Sequence, residues 1–420
     1  MLRNKSFWAL FFTQFFGAFN DNFFRTALVT LITYHLTTYT ETTKSLFVSA
    51  AFGLFMLPFF VFSPLAGQVS DRFDKAFVIR IIKASEIIIV SLSAYGFIQK
   101  DPYFLLLTLF FMGTHSAFFG PTKYGILPDI LPNETLLRGN GYIEAGTFLA
   151  IMLGTLTGAL MIHLQVSLYL ISLQLVFVSI LGFLASFQIK RGLCDAPLLK
   201  IRFSWVSEMK ALYGYAHKDE RVLKSIVCIS WFWLVGAVLL AQLPILAKDV
   251  LNLTESVFIF LLLLFTIGIG SGSILCNWLF KGEITIKRVP LFALLMIPFL
   301  FDIASFRAAL DVNPVTLFSF LTTFQGLELT FDFLALSFVG GLFIVPLYAF
   351  IQIHIPANKR SQVISFNNII NAGFMVFSSF SSFCLLAIGV TVPALIFITA
   401  LGQVILTIYT MTGKTKPAFQ

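Results

Sequence analysis

Long apolar runs, each about the length that crosses a bilayer, alternate with short polar breaks along the whole 420-residue chain. A spanning helix needs about 20 mostly apolar residues. Measured against that length, the breaks delimit twelve expected spans near 7–33, 46–69, 77–98, 103–120, 140–163, 166–188, 223–247, 256–279, 289–306, 331–354, 362–387 and 391–411. The longest polar connection, 189–222, separates six spans from six. The expected fold is therefore an all-α polytopic membrane protein with an N-terminal six-helix bundle over 1–188 and a C-terminal one over 223–420. The linker between them, 189–222, admits two readings. Trp205, Met209, Leu212 and Tyr213 among basic residues fit an amphipathic helix on the inner leaflet, and the same stretch fits a solvated connection.

Composition agrees with the spans. Hydrophobic residues make up 58% of the chain, charged residues only 11%, and the mean hydropathy is +0.91. No soluble surface of this size is so poor in charge. The net charge of +8 raises the question of nucleic acid, and its placement answers it. Of 28 Lys and Arg, 22 fall in one alternating set of connections and the two termini, four in the other set (Lys44, Lys100, Lys248, Arg307), and two within spans (Arg25, Lys83). By the positive-inside rule both termini are expected in the cytoplasm, and no nucleic-acid partner is expected. The apolar run from Phe7 is too long for a cleavable signal peptide. Four scattered cysteines suggest neither disulfides nor a metal, and His35, His115, His163 and His354 read as fillers at span ends.

An internal repeat supports duplication. Asn140-Gly-Tyr-Ile-Glu-Ala-Gly146 and Asn367-Asn-Ile-Ile-Asn-Ala-Gly373 share the pattern NxxIxAG, 227 residues apart, each opening the fifth span of its half. Parallel halves of this kind are the arrangement of the major facilitator superfamily. Between spans two and three, Gly67-Gln-Val-Ser-Asp71-Arg72-Phe-Asp-Lys75 resembles that superfamily's loop signature GxLADRxGRR, with Asp74 where a second Gly is usual. Gly67 is expected to let helices approach closely. Asp71, Arg72 and Lys75 are expected to make ion pairs that lock the cytoplasmic face, as gating residues.

Gln14, Gly17, Asp21 and Arg25 lie on one stripe of span one. Asp21 sits about 21 Å into the helix at 1.5 Å per residue. A charge there costs at least about 2.5 kcal/mol, so it must face protein, water or cargo. An Asp21–Arg25 pair within the helix is the plainer alternative. Asn20 and Asn22 flank it. Lys123 lies in Gly120-Pro-Thr-Lys-Tyr-Gly125, where Gly120 and Pro121 are expected to break span four, and Glu144 lies one turn into span five. Lys83 and Glu86 are spaced to neutralise each other. Asn367, Asn368 and Asn371 give the second half a polar but uncharged lining. Asp302 is expected to pair with Arg307 near the outer end of span nine.

Phe7 to Arg25, with its Phe-Asn-Asp-Asn core, resembles the opening of the bacterial lysophospholipid transporter family, including members fused to acyltransferase and acyl-ACP synthetase domains. Gly120 to Pro128, Asn140 to Ala145, Gly341 to Leu347 and Asn367 to Ala372 carry the resemblance almost to the end of the chain. It implies a monomeric flippase of the inner membrane that moves lysophosphatidylethanolamine-type lipids inward for an acyltransferase or acyl-ACP synthetase partner. It implies no cofactor. Asp21, Lys123, Tyr124 and Glu144 would serve the headgroup, with Asn20, Asn22, Arg25, Asn367, Asn368 and Asn371 around it. Arg25 stands where fused relatives often carry Lys. Tyr348 stands where they often carry Asn, which is expected to remove a polar group from span ten. The alternative within the superfamily is an exporter of another amphiphile, a drug or siderophore, coupled to protons through Asp21 or Glu144. An enzyme is not expected. The HxxxxD constellation of acyltransferases is absent, because Thr40, Gly120, Leu168, Val222 and Lys359 follow the five histidines at that spacing, and no GxSxG occurs.

Overall fold

The computed structural model describes residues 3–35, 40–192, 194–202, 204–306 and 315–412. Arg307, the partner expected for Asp302, lies outside the described residues. Helices dominate, and the described residues contain no strand, only a single bridge between Leu253 and Val315. In chain order the helices are α1 (Lys5–His35), α2 (Glu41–Arg72), α3 (Lys75–Gln99), α4 (Pro102–Ile130), α5 (Asn133–His163), α6 (Leu168–Ser186), α7 (Trp205–Lys218), α8 (Glu220–Ile245), α9 (Glu255–Leu279), α10 (Val289–Ser305), α11 (Leu317–Thr322), α12 (Phe324–His354), α13 (Ala357–Ala387) and α14 (Val392–Met411). Twelve of these have 17 residues or more; only α7 and α11 are shorter. Nine, among the described residues, are long and apolar enough to cross a membrane by those measures alone. With α1, α3 and α10 they match the twelve expected spans.

Local chemistry marks the helix ends. Asp74 and Asp101 are N-caps, their carboxylates accepting from Phe77 N (2.7 Å) and from Tyr103 N and Phe104 N (3.0 and 3.2 Å). Such caps satisfy amides that the first turn leaves unpaired. Lys100, at φ 54°, closes α3 in the left-handed conformation. Gly120 and Pro121 do not break α4, contrary to expectation. The helix runs through both, because a proline removes one hydrogen bond and packed neighbours hold the rest.

The helices are apolar toward the outside as well as the inside. Tyr169, Leu173, Phe177 and Leu184 form an exposed stripe along α6, and Ile405 and Ile408 another on α14, as lipid-facing surfaces require. α12 is buried over most of its length and is the most central helix. Helices α1 to α6 pack mainly on one another, as do α8 to α14, and the two groups meet along α2 with α13 and α5 with α9. Helix α7 occupies part of the linker. It buries Leu212 and Ala216 against the bundle and packs on α2, α8 and α13 at once.

Candidate functional site

At the end of the molecule that carries both termini, α2 and α13 are fastened together. Asp71, fully buried, accepts from Ser361 N (3.0 Å), Gln362 N (3.1 Å) and Gln362 Nε2 (3.1 Å), in the second turn of α13. The carboxylate is thus held by three donors of α13. Ser70 Oγ and Ser361 Oγ lie 3.0 Å apart beside it. Gly67 makes the approach possible, since a Cβ there would stand 2.7 Å from Gln362 Cα and 3.0 Å from Ser361 O. Of the expected ion pairs, Lys75 makes some, while Asp71 is held by amides instead. Arg72 rests over the Phe73 ring, 5.3 Å from its centre. Lys75 bonds Asp195 of the linker and lies 3.3 Å from Asp129, which in turn holds Arg360 at 3.1 Å. That chain of charges joins α3, α4 and α13 beneath the buried carboxylate.

Deeper in, where α4, α5 and α12 meet, lies a layer of aromatic and polar groups. The Tyr124 hydroxyl donates to Glu144 Oε1, and the Tyr124 and Tyr348 rings stack at 4.4 Å, inclined by only 4°. Tyr348 accepts from Trp233 Nε1 at 3.2 Å. The polar group that Asn would have supplied is therefore present as a hydroxyl, contrary to the expected loss. Asn140 and Gln352 exchange two amide hydrogen bonds, 2.7 and 3.1 Å, across the α5–α12 seam. Lys123 is buried with its ammonium 4.5 Å over the Tyr124 ring, within electrostatic reach of Glu144. Glu144 Oε2 and both amide atoms of Asn367 are buried without hydrogen-bond partners among the described residues. Asn371 accepts from Ser230 at 2.7 Å. Asn368 points at Gly120, where any Cβ would meet its Nδ2 at 2.6 Å.

A second charged layer lies within α1, α3 and α4. Lys83 Nζ holds Glu86 Oε2 at 2.6 Å, both side chains fully buried, and His115 Nε2 lies 3.1 Å from the same oxygen. Asn20 Nδ2 donates to Glu86 Oε1 (3.1 Å) and to Leu175 O (3.1 Å). Gly17 leaves room for the ammonium: a Cβ there would stand 2.3 Å from Lys83 Nζ. Asp21 accepts from Ser116 Oγ, whose neighbour His115 completes the layer. Arg25 does not pair with Asp21. Its Nη2 donates to Asn22 Oδ1 at 2.8 Å, and its guanidinium lies 5.9 Å over Phe55. Asp21 Oδ1 keeps no hydrogen-bond partner among the described residues.

The sequence-derived candidates therefore fall into three groups. Gly67, Asp71, Arg72 and Lys75 lie at the α2–α13 seam; Lys123, Tyr124, Glu144 and Asn367, with Asn368 and Asn371 on the same helix as Asn367, form the inner layer; Asn20, Asp21, Asn22 and Arg25 stand beside the Lys83–Glu86 pair. His115, read from sequence as a span-end filler, is instead a buried member of that layer, because α4 extends ten residues past the expected end of its span. Ser116, Trp233 and Gln352 carry no sequence signal for a site; only the fold brings them in. No group of three or more His, Cys, Asp or Glu among the described residues could hold a metal.

Residues 10–379 match the model of the Major Facilitator Superfamily. The chain is similar to Lysophospholipid transporter LplT of Escherichia fergusonii, 26% identical over 360 residues that cover 83% of this chain and 82% of that one. The corresponding protein of Cronobacter sakazakii is 25% identical over 357 residues, 84% and 81% of the two chains. Among solved structures, the human organic anion transporter TETRAN aligns with a TM-score of 0.73 at 12% identity, over 97% of this chain and 99% of that one. FucP, a transporter in the outward conformation, aligns with a TM-score of 0.70 at 12% identity, over 96% and 97%. These two likenesses bear on the fold alone.

Proposed function

Because this chain belongs to the Major Facilitator Superfamily, we propose that it carries lysophospholipids across the membrane by alternating access between helix groups α1–α6 and α8–α14. The relatives named lysophospholipid transporter support the cargo class. One observation carries the reading at the level of atoms. Among the described residues, the long helices hold carboxylate oxygens without hydrogen-bond partners, Asp21 Oδ1 and Glu144 Oε2, and a buried ammonium, Lys123. A zwitterionic headgroup brings the complements of both, an ammonium for the acids and a phosphate for the lysine. Phenylalanines on α1 and α2 supply apolar surface for a single acyl chain.

In this reading the lock of Asp71 on α13 closes the cytoplasmic face. Asp21, Asn22 and Arg25 meet the headgroup first. Lys123, Tyr124, Glu144 and Asn367 take it as the halves rock. Residues 1–188 and 223–420 act as the two moving units, with 189–222 as their linker. The location is the bacterial inner membrane with both termini cytoplasmic, the working unit is a monomer, and the product passes to an acyltransferase or acyl-ACP synthetase.

The test is inward movement of fluorescent lysophosphatidylethanolamine in proteoliposomes, run with and without a pH gradient. Asp21→Asn is expected to lower the initial rate at least tenfold, since a hydrogen bond between ammonium and carboxylate is worth about 1.5–3 kcal/mol. An unchanged rate removes Asp21 from the site. Failure to move any lysolipid, together with proton-driven movement of another amphiphile, would favour the exporter reading.

A further inference from the structure

Helix α2 carries Pro64 in its interior. Proline has no N–H, so the carbonyl four residues earlier, Phe60 O, loses its helical partner. Phe60 is twelve residues from the end of α2, about 18 Å along the axis at 1.5 Å per residue, on a face of the helix that the linker overlies. The missing donor comes from the linker. Trp205, the first residue of α7, donates its indole Nε1–H to Phe60 O at 2.6 Å. One turn past the proline, the Gln68 side chain exchanges two hydrogen bonds with the Arg202 backbone, accepting from its N at 2.8 Å and donating to its O at 3.1 Å. Farther along, Ala196 N donates to Asp71 O at 2.9 Å. The linker is thus fastened along the half of α2 that ends in the lock, while the body of α7 also rests on α8 and α13.

We infer that Trp205 is a positioning residue for transport: its indole replaces the hydrogen bond that Pro64 removes from α2 and so holds the lock-bearing half of that helix against α13. The inference rests on the alternating-access reading given above. When α2 and α13 part, α7 cannot stay seated on α2, α8 and α13 together, so the arrangement with the Trp205 bond made and α7 resting on all three is the closed one. Its loss shifts the balance toward the state open at the terminus-bearing face. The shift expected from one net hydrogen bond is roughly two- to tenfold.

The experiment uses the full chain in proteoliposomes, with the exposed Cys194 and Cys384 replaced by Ser and a reporter thiol introduced by Ser70→Cys in the buried seam. The readout is the rate of maleimide labelling. Trp205→Phe, and separately replacement of Trp205 by benzothienylalanine, which keeps the bicyclic shape without the N–H, are expected to raise that rate roughly two- to tenfold. In a Pro64→Ala background the helix regains its own donor to Phe60 O, and the same replacements are expected to change nothing. An equal rise in both backgrounds, or no rise in either, overturns the inference. Asp71→Asn separates the two levels of argument. A rise with Asp71→Asn but none with the Trp205 replacements removes this inference alone; no rise with any of them removes the alternating-access reading and this inference with it.

Discussion

Replacing Asp71 by Asn tests whether a buried carboxylate on neutral amides is what keeps the two helix groups together. The substitution keeps one carbonyl oxygen for Ser361 N but turns an amide NH2 toward Gln362 N and Gln362 Nε2, both of which now donate to Oδ2 at 3.1 Å. Two hydrogen bonds to a charged acceptor are lost, each worth about 1.5–3 kcal/mol. Even at the low end the closed state loses about 3 kcal/mol, which shifts the opening equilibrium roughly a hundredfold. Hydrogen–deuterium exchange over the first turns of α13, in detergent at constant pH, reads this directly, because exchange follows the open population when closing is fast. Amides of residues 357–366 are expected to exchange roughly a hundredfold faster in the variant, while those of α9 and α10 keep their rates. Unchanged exchange at 357–366 would refute the reasoning, because the α2–α13 seam would then not open when the carboxylate is lost.

Three further outcomes follow from the geometry. Lys83→Met strands Glu86 in the interior and is expected to cost about 3–5 kcal/mol, read as a lower unfolding temperature by intrinsic fluorescence; an unchanged transition would mean that His115 and Asn20 suffice to compensate the acid. Gly17→Ala intrudes within 2.3 Å of the same ammonium and is expected to lower the transition too, yet to add little on top of Lys83→Met, since both act through one contact. Tyr348→Phe keeps the stack on Tyr124 and loses the hydroxyl that accepts from Trp233 Nε1, so its cost is expected near 1 kcal/mol; Tyr348→Ala, which removes the stack as well, is expected to lower both stability and lysolipid transport by more.

Charge in an apolar context was the signal that sequence carried best. Asp21, Lys83, Glu86, Lys123 and Glu144 stand out because a membrane span excludes them unless something within the fold receives them. The Lys83–Glu86 pair could even be foreseen from its spacing, and the structure has it at 2.6 Å. Several neutral polar groups gave no such signal. Ser116, Gln352 and Trp233 are ordinary residues of apolar helices until a neighbour 115 or more positions away meets two of them, as Asn140 meets Gln352 and Tyr348 meets Trp233. His115 was misjudged for a related reason. Gly120 and Pro121 suggest a helix end, but packing from α2 and α13 carries α4 through them and leaves the imidazole well inside the helix.

By itself, then, the sequence determined the number of long helices and which of them carry charge, because hydrophobic length and the cost of burying charge are local properties of the chain. Only the tertiary structure decided which partner each buried polar group found: backbone amides of α13 for Asp71, Ser116 for Asp21, the indole of Trp205 for the carbonyl that Pro64 leaves free. Those pairings join residues far apart in the chain, and their geometry is set by how helices cross, which no single segment encodes.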